Sequence, residues 1–72
     1  MTWTQRGTHL VLAVGSGCTL EIEPLGKRYQ TWHRRPGKHP IVIGMFQTEQ
    51  MAKSEMEFLA TELKKLYKHV GN

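Results

Sequence analysis

The sequence contains no aspartate, and its six acidic residues, all glutamate, stand against ten lysine and arginine residues. The net charge is +4 at pH 7 and the pI is near 9.6. With no aspartate and no glutamates clustered beside a glycine-rich loop, the chain lacks the acidic groups that phosphoryl transfer and glycoside hydrolysis use. The positive balance favours an anionic partner instead.

Cysteine is almost absent too. Cys18 is the single cysteine, so the chain cannot form an intrachain disulfide. Small secreted domains usually carry several disulfides, so we expect a cytoplasmic protein. As a nucleophile, Cys18 has no identifiable orienting group around it. The four histidines lack a recognisable metal-ligand spacing. We therefore predict no enzyme activity, no metal and no cofactor.

Long hydrophobic runs are missing as well. The apolar run 10–14 precedes GSGC, as the apolar segment of a lipoprotein signal precedes its cysteine. This run has five residues, fewer than the roughly seven that a signal needs. Gly15 also stands where such a site usually carries Leu or Val. No stretch approaches the about 18 apolar residues of a membrane span. We expect neither export nor membrane association.

The residues up to position 46 alternate with the period of β-strands. Residues 9–14 and TLEIEP flank the turn GSG and read as one antiparallel pair, with Leu20 and Ile22 inward and Glu21 and Glu23 outward. YQTWHRR and PIVIGMF flank the turn PGKH and read as a second hairpin. A further short strand starting near Trp3 is left open.

From Thr48, a candidate N-cap, the apolar spacing becomes helical. The stripe comprises Ala52, Met56, Leu59, Leu63, Leu66 and Val70. The predicted fold class is α+β: one domain, 1–72, with an antiparallel sheet of three to four strands over about 8–46 packed on one long C-terminal helix over about 48–69. One sheet face stays uncovered. The expected core comprises Leu10, Leu12, Leu20, Ile22, Ile41 or Val42, Ile43, Met56, Leu59, Leu63 and Leu66.

The second hairpin is the candidate binding site, because it carries lysines, arginines and aromatics between Gly26 and Pro40 with no carboxylate. Alternation places Trp32 and Arg34 on one face with Gln30. Such cationic and planar groups together bind phosphates and bases. The predicted nucleic-acid-binding residues are Lys27, Arg28, Gln30, Trp32, Arg34, Arg35 and Lys38. The alternatives are a hairpin that is charged because it is solvated, or one that binds an acidic protein.

On the helix, Phe58 lies well off the apolar stripe, and Met51 lies on the same side. An exposed phenylalanine on a small protein is often an interface residue. Met51 and Phe58 are therefore the predicted protein-interface residues. They serve either a host-protein partner or a homodimer that also uses the uncovered sheet face.

The segment 19–63 resembles the arm-binding domains of phage and transposon integrases, in which a three-stranded sheet is followed by a helix. Their F-x-T-x-x-x-A helix start is matched by Phe46, Thr48 and Ala52. The chain is also similar to small β-then-α proteins of phages, prophages and bacterial genomes. The integrase resemblance implies that the sheet enters the DNA major groove through Gln30, Trp32, Arg34 and Lys38.

Two departures from the integrase pattern, an extra N-terminal strand and the lack of an attached catalytic domain, favour a stand-alone small phage or bacterial protein. The leading prediction is a non-enzymatic nucleic-acid-binding protein of phage or mobile-element type. The alternative is a small regulator or inhibitor that binds a host protein through its open sheet face or helix flank.

Overall fold

The computed structural model describes the backbone of residues 2–70 and the side chains of residues 2–66. It has the predicted α+β architecture: an antiparallel sheet in the simple order β1-β2-β3-β4-β5, followed by one helix. The elements are β1 Thr4–Arg6, β2 His9–Gly15, β3 Cys18–Leu25, β4 Arg28–Arg34, β5 Ile41–Phe46 and α1 Glu49–Val70. The predicted count of three to four strands was wrong, because the short N-terminal segment left open by the sequence pairs with β2 as a fifth strand.

Short turns fix how the strands pair. Gly26 adopts φ +64°, a value that favours glycine, so that Leu25 and Arg28 face each other across a two-residue turn. Between β4 and β5, the Lys38 backbone N–H donates to the Arg35 carbonyl at 3.1 Å. Pro36 and Gly37, the latter at φ +69°, occupy the two central positions of this turn, as a type II turn requires. The PGKH turn predicted from the sequence is confirmed.

The helix begins as predicted and packs on one sheet face. The Thr48 hydroxyl accepts a bond from the Met51 backbone N–H at 3.1 Å, which caps the first turn. Within the helix positions up to 66, the buried residues are Ala52, Met56 and Ala60, spaced by four. The two alanines let the helix approach the sheet closely. The remaining buried apolar core comprises Leu12, Val14, Cys18, Leu20 and Ile22, with Leu10, Leu59 and Leu63 partly buried around it.

Three positions expected in the core, namely Ile41 or Val42, Ile43 and Leu66, are exposed instead. Ile41, Val42 and Ile43 are 46%, 48% and 38% exposed, because β5 is an edge strand and α1 meets it less than β2, β3 or β4. A β-bulge at Ile43 also interrupts its alternation. Leu66 is 55% exposed, since a 22-residue helix is about 33 Å long and outruns strands of seven or eight residues. The Val70 side chain lies outside the described residues.

We predict that Met56→Ala lowers the free energy of unfolding by about 2–5 kcal/mol, because a side chain that is 2% exposed leaves a cavity when truncated. Leu66→Ala, on the same helix, is the matched control and should change it by less than about 0.5 kcal/mol. Urea titration of both variants measures the difference. Equal losses of stability would show that α1 is packed differently.

Candidate functional site

The sheet face that α1 does not cover, called the open face below, carries the side chains that alternate with the core positions. In β3, Thr19, Glu21 and Glu23 alternate with the core residues and therefore lie on the open face. Strand register pairs these three with Arg34, Trp32 and Gln30 of β4, which places the β4 residues on the same face. Tyr29, Thr31 and His33 take the helix side. The open face comprises Thr4, Arg6, His9, Val11, Ala13, Thr19, Glu21, Glu23, Leu25, Arg28, Gln30, Trp32, Arg34, Val42 and Met45.

Glu21 is the centre of this face and is only 7% exposed although it is charged. The Arg34 guanidinium forms an ion pair with its carboxylate, and the Thr19 hydroxyl donates to it at 3.4 Å. Nδ1 of His9 lies 3.2 Å from its second oxygen. A carboxylate can be buried when it is paired and hydrogen-bonded in this way. The three neighbours therefore account for a buried charge on the open face.

Glu23 extends the same network towards the middle of β4. Its carboxylate accepts a hydrogen bond from Trp32 Nε1 at 3.3 Å, and its other oxygen lies 3.2 Å from His9 Nε2. Both ring nitrogens of His9 thus face carboxylate oxygens, and an imidazolium can donate to both at once. The network holds the Trp32 indole and the Arg34 guanidinium in defined positions on the open face.

The remaining cations of the hairpin form two separate pairs. Lys27 and Arg28, the first cation pair, lie at the β3–β4 turn, whereas Arg35 and Lys38, the second, lie in the β4–β5 loop. None of these four makes an ion pair within the described part of the chain. Because β4 has seven residues, the pairs are about 20 Å apart. The structure therefore divides the predicted basic cluster between opposite ends of one strand.

Sequence reasoning missed His9, Glu21 and Glu23 as partners of the basic hairpin. The stretch 26–40 contains no carboxylate, but β3 supplies two from the adjacent strand. The signal was present in the two-residue turn at Gly26, which sets Leu25 opposite Arg28 and hence Glu23 opposite Gln30.

Met51 and Phe58, the predicted protein-interface residues, lie away from the open face. They are 50% and 68% exposed on α1. Met51 lines a small groove of about 230 Å³ beside the end of β5. The other residues of the groove are Phe46, Gln50, Ser54 and Glu55. The structure thus presents two distinct surfaces rather than one combined site.

The structure also locates Cys18 and the side chains that could ligate a metal. Cys18 is buried at the start of β3, where its thiol lies 3.9 Å from the Ser16 carbonyl. Across residues 2–66, no three His, Cys or Glu side chains are grouped so that they could hold a metal ion. The described helix does not combine the length and hydropathy needed to cross a bilayer. Comparisons with protein-family models, curated proteins and solved structures found no match to this chain.

On the helix side of β4, burial lowers the pKa of His33, and the Arg35 charge lowers it further. We predict that Arg35→Gln raises this pKa but leaves it below the ordinary value, because burial remains. An NMR titration of the His33 ring protons measures the change, and Lys38→Gln, which removes a charge from the same loop, is the control. An unchanged pKa in Arg35→Gln would show that Arg35 points away from the imidazole.

Proposed function

We propose that the protein is a non-enzymatic, cytoplasmic nucleic-acid-binding protein of phage or mobile-element type, and that its open face is the binding surface. The observation that carries this proposal is the side-chain row of β4. Arg28, Gln30, Trp32 and Arg34 occupy alternate positions of one strand on the uncovered face. Neither α1 nor another element of the described chain covers them.

The chemistry of this row suits nucleic acid. Arginine can bond bidentately to guanine and glutamine to adenine at the major-groove edge. An indole can stack on a base. Because Trp32 is bonded to Glu23 and Arg34 to Glu21, both side chains are fixed before binding, which reduces the entropy cost of association.

The two cation pairs suit the phosphate backbones that border a groove. They lie about 20 Å apart along β4, farther than the roughly 12 Å width of the major groove. When the middle of β4 faces base edges, Lys27 and Arg28 can reach one backbone and Arg35 and Lys38 the other. This placement agrees with what the integrase resemblance implies for the sheet.

The acidic pair of the open face does not oppose this placement. Glu21 is buried and bonded to Arg34, so that its charge is balanced inside the protein. Glu23 is more exposed, at 31% of its side chain, and is the carboxylate that a nearby phosphate would meet. Its charge is a local cost to binding that can be tested directly.

We predict that replacing Arg28 and Lys38 together by glutamine weakens binding to random duplex DNA. The slope of log affinity against log salt should fall by about 1.8, because each cation that neutralises a phosphate of duplex DNA adds about 0.9 to that slope. Fluorescence anisotropy over a salt series measures it. Lys64→Gln with Lys65→Gln on α1 removes the same charge away from the open face and should leave the slope nearly unchanged.

An equal decrease of the slope in both double variants would mean that net charge, rather than the open face, governs binding. No binding of the wild-type protein to duplex or single strand at low salt would overturn the proposal. The alternative function, regulation of a host protein, would then take its place. The exposed Phe58 ring is the observation that favours that alternative.

A second prediction is a substitution that strengthens binding to duplex DNA. Glu23→Gln removes a negative charge from the open face but keeps a carbonyl oxygen that can accept the Trp32 hydrogen bond. Affinity for duplex DNA should therefore rise at low salt and approach the wild-type value at high salt, where screening weakens the repulsion. The matched control is Glu62→Gln on α1, which should have little effect. Unchanged or weaker binding by Glu23→Gln would place the nucleic acid elsewhere.

A further inference from the structure

The two edges of the sheet differ in how they avoid pairing with another chain. Exposed edge strands are usually kept short or given charged residues, because their free N–H and C=O groups can pair with a second strand. At one edge, β1 follows this pattern, with three residues that include Arg6. At the other edge, β5 has six residues and no charge.

The side chains of β5 are also unusually apolar for an edge. Ile41, Val42, Ile43 and Met45 are each between 38% and 48% exposed. The bulge at Ile43 and the proline at position 40 limit the length over which the strand can pair, but they add no charge. No other element of the described chain covers the outer side of β5, since the strand order ends there.

We propose that the outer edge of β5 pairs antiparallel with β5 of a second copy of this chain, so that two five-stranded sheets join into one. Two-fold pairing of identical strands is isologous, which means that both copies use the same surface. The uncharged strand meets itself without like-charge repulsion, although the whole chain carries +4. This inference rests on β5 and not on the proposed function.

Charge at the two ends of β5 favours a second copy in the antiparallel direction. The loop before the strand carries Arg35 and Lys38, which make no ion pair in the described chain. After the strand, Glu49 of α1 pairs with Lys53 at 3.4 Å, which leaves Glu55 as the unpaired negative charge at this end of the described chain's β5. An antiparallel partner brings the basic end of one copy to the acidic end of the other. A parallel partner would align like charges instead, which is unfavourable.

The apolar residues beside β5 add to the same surface. Met51 lines the groove next to Phe46, the last residue of β5. The groove of about 230 Å³ is smaller than typical small-molecule pockets, which are about 300–1,000 Å³. It fits a side chain of an adjacent protein better than a separate ligand.

Sedimentation of the wild-type chain over a concentration series, with reductant and without nucleic acid, tests the pairing. We expect the mass to rise from 8.3 kDa towards twice that value. Val42→Lys should raise the dissociation constant by about tenfold or more, because it places like charges across the axis. Leu25→Lys is the matched control, since Leu25 is 49% exposed and Val42 48%, and it should dimerise like the wild type.

The orientation has its own test. Lys38→Glu should weaken the dimer, and adding Glu55→Lys to it should restore much of the affinity, because the exchange re-forms opposite charges between copies. Thermal melting of each variant checks that it is folded. The proposal is wrong if the wild type stays monomeric at the highest soluble concentration, or if Val42→Lys and Leu25→Lys weaken association equally. Failure of the charge exchange would overturn the antiparallel arrangement.

Discussion

One helix can cover only part of this sheet, and the exposed surfaces of the protein follow from that limit. A helix with its side chains is about 10–12 Å wide, so that it covers a band of one sheet face and none of the other. Ala52 and Ala60 bring α1 close to Leu20 and Ile22 in the middle of the sheet. The opposite face must therefore be stabilised without the helix, whereas β5 meets α1 only in part, chiefly through Phe46.

The open face is stabilised largely by its own side chains. Glu21 is buried there because Arg34, His9 and Thr19 surround its carboxylate, and Val11 of the same face is also only 7% exposed. A polar network that is fully bonded fixes the positions of its members. The network that compensates for the missing cover therefore also orients Trp32 and Arg34. The cations of the two turns take part in no such ion pair within the described chain.

The sequence predicted the strands, turns and helix better than it predicted which strands and side chains lie next to each other in the sheet. The helix start at Thr48, the PGKH turn and the face of Trp32 follow from local chemistry or from alternation, and the structure confirms each. The position of β5 at the edge could not be predicted, because a β-branched run has the same pattern in a central strand and at an edge. Glu21 of β3 meets both Arg34 of β4 and His9 of β2, so its pairing depends on the β3–β4 and β2–β3 registers. The Gly26 turn indicates only the first of these registers.

The open face and the β5 edge are linked by the strand order. In a pair joined through β5, each β4 lies next to the strand at the junction, so the two β4 strands are separated by three spacings, about 14 Å. Because the two copies are related by a two-fold axis, their rows from Arg28 to Arg34 point in opposite directions. A surface with this symmetry matches a two-fold symmetric, palindromic DNA site better than an asymmetric one. If the proposed function and the proposed pairing both hold, the β5 edge sets the spacing between the two half-sites.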